Sequence, residues 1–118
     1  MSETKEARYD MAIELRQNGN LNAAMEALEQ LCVDFPDYAL PHATLSMMYC
    51  RDGNFEKSLH HAAIVCELEP EDPFSFVAMS SLAIRSGDRE MAEEALGKAR
   101  MAQLQYMQKQ RQEEENQA

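Results

Sequence analysis

Cys32 and Cys66 stand 34 residues apart, with Cys50 between them and an adjacent pair, His60-His61, nearby. Thiols and imidazoles hold borderline-soft metals and supply nucleophiles, so their spacing is the first test for chemistry. The spacing fits poorly. No C-x-x-C pair and no C-x-x-H run occurs, and three thiols is an odd number for a disulfide set. Neighbouring side chains on a helix point about 100° apart, so His60 and His61 do not converge on one ion. The acidic runs Glu93-Glu94 and Glu113-Glu114-Glu115 lack the apolar surroundings that would raise a carboxyl pKa. Spacing therefore offers no metal site, no cofactor site and no catalytic residue. The expectation is a non-enzyme whose cysteines stay reduced and pack as small apolar groups.

The elements that would carry these residues follow one period. Gly19, Gly53 and Gly87 are each 34 residues after the last, and Pro36 and Pro70 keep the same step. Apolar columns repeat with them: Met11, Leu45 and Met79; Leu15, Tyr49 and Ala83; Leu28, Ala62 and Leu96; Leu31, Val65 and Ala99. Inside each block these positions fall three, four or seven apart, which is the face of a helix. A fixed period of this length describes helical hairpins stacked on one another. Six helices are predicted, over about 5–18, 21–34, 39–52, 55–68, 73–86 and from 89 to about 110. Breaks fall at Asn18-Gly19-Asn20, Asp52-Gly53-Asn54 and Ser86-Gly87-Asp88. Asp72 before Pro73 reads as an N-cap with proline at the first helical position. The polar tail QKQRQEEENQA is expected to fray.

With these columns the chain resembles the tetratricopeptide repeat family, over roughly residues 5–106. Its columns of a small residue, glycine, alanine, an aromatic and proline are held here by Ala12, Ser46 and Ser80; Gly19, Gly53 and Gly87; Ala24, Ser58 and Ala92; Leu28, Ala62 and Leu96; and Pro36 and Pro70. Two departures stand out. The family's aromatic near the start of the first helix survives only as Phe76, with Arg8 and His42 in the other repeats. Leu104 occupies the place of the third proline. The resemblance implies an all-α, right-handed superhelical stack of three hairpins with an extended last helix. The expected divisions are an N-terminal tail at 1–4, repeats at 5–38, 39–72 and 73–106, and a polar helix extension and tail at 107–118.

The resemblance also implies that the first helix of each hairpin lines a concave face. The residues expected there are Tyr9, Ile13, Arg16, Ala43, Met47, Arg51, Val77, Ser81 and Arg85, an apolar groove with arginines along one edge. Arginine forks pair with carboxylates, so the groove suits a peptide with apolar anchors and acidic residues. The same arginines near helix C-termini would also complement the helix dipole. Leu40, Phe74 and Val77 either line the groove or pack against neighbouring helices. The family's carboxylate clamp, which grips the C-terminus of heat-shock chaperones, is missing: Tyr9, Ile13, Thr44, Phe74 and Ala78 hold its columns. The expected function is a protein–protein adaptor or scaffold for an unidentified partner. The alternatives are self-association through the last helix, and a small acidic secretion-type chaperone for an exported protein. On that last helix, Ala92, Leu96, Ala99 and Gln103 are expected to face the preceding helix. Met101, Leu104 and Met107 form a second stripe open to a second copy in a homodimer.

Composition narrows the partners. A net charge of −10 lacks the basic footprint that phosphate binding needs, which excludes nucleic acid and an anionic membrane surface. No apolar run reaches the roughly 18 residues of a membrane span. The acidic start MSETKEARYD does not read as a secretory signal, which leaves a cytoplasmic location as the expectation. Glu26, Glu29, Glu56, Glu67, Glu90, Glu93 and Glu94 are expected to form a solvated acidic back.

Overall fold

In the computed structural model, residues 3–117 are described, and they form six helices with no strand. The helices are α1 (Lys5–Gln17), α2 (Leu21–Asp34), α3 (Ala39–Arg51), α4 (Phe55–Leu68), α5 (Pro73–Ser86) and α6 (Arg89–Gln117). Part of the expected tail at 1–4, and Ala118 at the other end, lie outside the described residues. The chain forms two compact units, one running to Val65 and the other starting at Cys66.

The glycine period has a backbone cause. Gly19, Gly53 and Gly87 take φ of 85°, 79° and 86°, in the left-handed region that a Cβ penalises. In each turn the next residue's N–H reaches back five positions. Asn20 donates to the Leu15 carbonyl, Asn54 to Tyr49 and Asp88 to Ala83, all at 2.9 Å. Each glycine N–H donates three positions back, at 3.0–3.1 Å. These paired bonds satisfy the last carbonyls of α1, α3 and α5 and close each helix with the same geometry. The starts of α1 and α5 are fixed by side chains. Thr4 Oγ1 accepts from the Ala7 N–H at 3.1 Å, and Asp72 Oδ1 accepts from the Phe74 N–H at 2.9 Å with Pro73 behind it.

The core of the first unit is Ala12, Ala24, Leu28, Leu31, Leu45, Met48 and Tyr49, on α1, α2 and α3. Small columns lie where helices approach. Ala12, Ser46 and Ser80 are buried, as are Ala24, Ser58 and Ala92. Ser58 meets the demand of its burial by donating from Oγ to the Ser46 carbonyl at 2.7 Å. An exposed Arg8–Asp34 bridge of 2.8 Å ties the start of α1 to the end of α2. The Arg8 hydrogen bond, with a second from Gln30, holds the Asp34 carboxyl below its ordinary value.

In the second unit α5 packs on α6 through Ala92, Ala95, Ala99 and Ala102, all buried. This corrects the expected stripe, because Leu96 and Gln103 are exposed. Alanines spaced three, four and three apart let the two helix backbones close in, and the larger Leu96 falls to the flank. The expected fraying is also corrected, since α6 runs on to Gln117. Its C-terminal segment is rich in Gln, Lys, Arg and Glu and contains no glycine or proline, so helix propensity stays high almost throughout.

Candidate functional site

Within the first unit, the predicted groove residues sit on α1 and α3. Met47 is 54 % exposed and Arg51 is exposed, while Tyr9, Ile13, Arg16 and Ala43 are half-buried. The Tyr9 hydroxyl is already engaged, 2.7 Å from Thr44 Oγ1, and its ring meets Tyr38 edge-on at 6.1 Å. Tyr9 therefore braces α1 against α3 more than it offers a free ring to a ligand. Arg16, Arg51 and Arg85 each lie in the last turn of α1, α3 and α5, where a cation also complements the helix dipole.

Within the second unit, Val77, Ser81 and Arg85 are exposed on α5. Val77 lines a cleft of about 780 Å³ between the start of α5 and the later part of α6, with Phe74, Tyr106 and Ala102. Phe74 is 78 % exposed, a large ring left almost entirely to solvent. Leu40 and Val77 are exposed too, so all three residues with an open packing alternative are free of dense packing. Repeat spacing does not single out Tyr106, at the end of the third repeat, and the structure places it with Phe74 in the lining of this cleft. Met101, Leu104 and Met107 are 59 %, 55 % and 51 % exposed, so the second stripe on α6 is uncovered.

Of the acidic residues expected on a wet face, Glu29 differs. It is half-buried, and Oε1 accepts from the Tyr49 hydroxyl at 2.6 Å. The same oxygen lies 3.4 Å from His61 Nε2. Burial, the largest influence on His61, pushes its pKa down, so near neutrality this is a carboxylate beside a neutral ring and not an ion pair. Burial likewise pushes Tyr49 up to about 12, with the Glu29 hydrogen bond acting in the same direction.

His61 leads to a cluster that spacing does not disclose. His42 Nδ1 lies 2.9 Å from His61 Nδ1 and 3.6 Å from Cys32 Sγ. The three donor atoms lie within 4.8 Å of one another. Both histidines are buried and Cys32 is half-buried. They come from α2, α3 and α4, so no local motif could reveal them. Burial, then the neighbouring His61, lowers the His42 pKa, while a backbone hydrogen bond to Pro36 works against them. Burial pushes the Cys32 thiol up to about 12. The His60 side chain is exposed, as its direction on the helix requires. Cys66 makes a different contact, donating to the Ser75 carbonyl at 3.4 Å.

Comparison with known proteins shows the same fold. The chain matches the type III secretion translocator chaperone SycD of Yersinia enterocolitica in complex with a peptide of the translocator YopD. The TM-score is 0.74 at 20 % identity, over 86 % of this chain and 78 % of that one. It matches a chain of the CopN–Scc3 complex with a TM-score of 0.77 at 18 % identity, over 86 % and 60 % of the two chains. MamA gives a TM-score of 0.78 at 18 % identity, over 89 % and 61 %. In sequence, the chain is 28 % identical over 108 residues to the cellulose synthase operon protein C of Pseudomonas fluorescens strain SBW25. It spans only 8 % of the length of that protein. No protein-family model matches the chain. The tetratricopeptide resemblance read from the glycine, proline and apolar columns is thus matched by a helical-repeat fold. Among the described residues no helix is long and apolar enough to cross a membrane.

Proposed function

We propose that the chain is a cytoplasmic, non-enzymatic adaptor built of repeats at 5–38, 39–72 and 73–106. It binds a peptide segment of another protein along its first helices. The observation that carries this reading is the set of large apolar side chains left open on α3 and α5, Met47, Phe74 and Val77. In the second unit an uncovered aromatic beside an uncovered aliphatic on α5, and in the first unit the uncovered Met47 on α3, each offer what an apolar anchor in a peptide needs. Arg51 and Arg85, in the last turns of those helices, favour acidic residues beside the anchors. Support also comes from SycD, which has this fold and is complexed with a peptide of its translocator.

Replacing Arg51 and Arg85 by Glu tests the charge component. Affinity for a segment of a partner captured by pull-down is expected to fall about tenfold or more, with stronger salt dependence in the wild type. Helicity by circular dichroism should not change, since both side chains are exposed. Equal affinity with both charges reversed would place the binding surface elsewhere.

A second reading is favoured by the open stripe of Met101, Leu104 and Met107, which suits a second copy of the chain across a two-fold axis. Sedimentation at micromolar concentration is expected to give a dimer that Leu104→Glu converts to monomer. A wild-type monomer under those conditions ends this reading and leaves peptide binding untouched. The small acidic chaperone alternative uses the same apolar surface. It predicts that the captured partner is an exported protein held before secretion.

A further inference from the structure

We propose that Cys32, His42 and His61 form a binding site for one borderline-soft divalent cation of the zinc type. A thiolate and two imidazoles are the donors such an ion selects, and three protein ligands leave one tetrahedral position for solvent.

Geometry is the first support. Tetrahedral zinc with ordinary bond lengths sets its nitrogen and sulfur ligands about 3.6 Å apart, and two nitrogens about 3.3 Å apart. Here Cys32 Sγ and His42 Nδ1 are 3.6 Å apart, and the two Nδ1 atoms are 2.9 Å apart. The ion needs the two rings to separate by a few tenths of an ångström, and it needs Cys32 Sγ and the His61 donor, which lie within 4.8 Å of each other, to stand about 3.6 Å apart. Without it, two imidazoles that meet nitrogen to nitrogen can share just one proton between them. A cation at their meeting point uses both lone pairs at once.

The surroundings are the second support. A ligating imidazole ordinarily gives its other N–H to a carboxylate, which fixes the ring and raises its basicity. His61 has Glu29 Oε1 at 3.4 Å from Nε2. Glu29 is itself held by Tyr49, whose ring stacks on the His61 ring at 5.8 Å and 8°. This is a chain of positioned groups, and it lies wholly within the first compact unit.

The repeat supplies a built-in contrast. One period later the three positions are Cys66, Phe76 and Ala95, so the thiol recurs and both imidazoles are gone. His42 stands where the resemblance places an aromatic, and the substitution places a ligand beside a cysteine. If the pair of histidines served only to fill space, a phenyl ring would do so without two buried ring nitrogens to satisfy.

Cobalt(II) is the probe, added to chelator-treated full-length protein. At one equivalent we expect intense tetrahedral bands in the visible and a thiolate-to-cobalt charge-transfer band in the near ultraviolet. Both should vanish in Cys32→Ser and persist in Cys66→Ser. Zinc should bind at one ion per chain, with Glu29→Gln weakening it about 10–100-fold. Should Cys32→Ser fail to fold, the wild type alone decides. On adding zinc, the ¹⁵N shifts of His42 and His61 should report metal on Nδ1, and those of His60 should not. Absent or pale octahedral cobalt bands overturn the site. So does a charge-transfer band that survives in Cys32→Ser, or histidine shifts unmoved by zinc.

Discussion

Leu45→Ala is expected to cost about 2–5 kcal/mol, far more than truncation of an exposed residue on the same helix. Leu45 is fully buried on α3, in one core with Leu28 and Leu31 of α2 and Ala12 of α1. Removing its branched end leaves a cavity bounded by α1 and α2, which are joined through the Gly19 turn and packed on α3. Such a site cannot collapse freely, which puts the cost toward the upper part of the range. Denaturant unfolding monitored by circular dichroism should show a lower midpoint with an unchanged slope. Met47→Ala, two residues along the same helix on an exposed position, is the comparison and should change stability by less than about 0.5 kcal/mol. Equal effects at the two positions would mean that α3 is rotated from the face described.

The contrast between Leu45 and Met47 shows which features a linear sequence can carry. Columns at fixed period identify Leu45, Leu28 and Leu31 as core because one helix face needs only local spacing. The turns are legible for the same reason. A glycine with positive φ between asparagine, aspartate or serine residues is a property of three consecutive residues. The Cys32–His42–His61 cluster is not legible, because its members are separated by 10 and 19 positions and belong to three helices. The available clue is His42 in an aromatic column, and it takes the packed hairpins to show that Cys32 and His61 are its neighbours. Glu29 reads as solvated for a similar reason, since only Tyr49 and His61 distinguish it from the other acids of α2 and α4. On α6 the expected stripe misses by one position. Leu96 looks more like a core residue than Ala95, yet close helix contact selects the smaller side chain.

That preference for small side chains sets the second large effect. Ala24 is fully buried on α2 and belongs to the same column as Ser58 and Ala92, which are also buried. Burial alone would allow a leucine; three small residues at one repeat position say that the space is taken up by a neighbouring helix. In the first unit α2 packs against both α1 and α3, so there is no solvent direction into which a longer side chain could turn. Ala24→Leu should therefore force strained rotamers or push the helices apart, at about 1–3 kcal/mol. The gain from added apolar area, about 0.8 kcal/mol per buried methylene, acts in the other direction and is lost if the new atoms cannot be housed. The sign of the result thus reports whether α2 can shift. A melting temperature several degrees lower, with the far-ultraviolet spectrum unchanged, is the expected outcome. A melting temperature that stays level or rises would show spare volume beside Ala24. The small-residue column would then reflect something other than close helix packing.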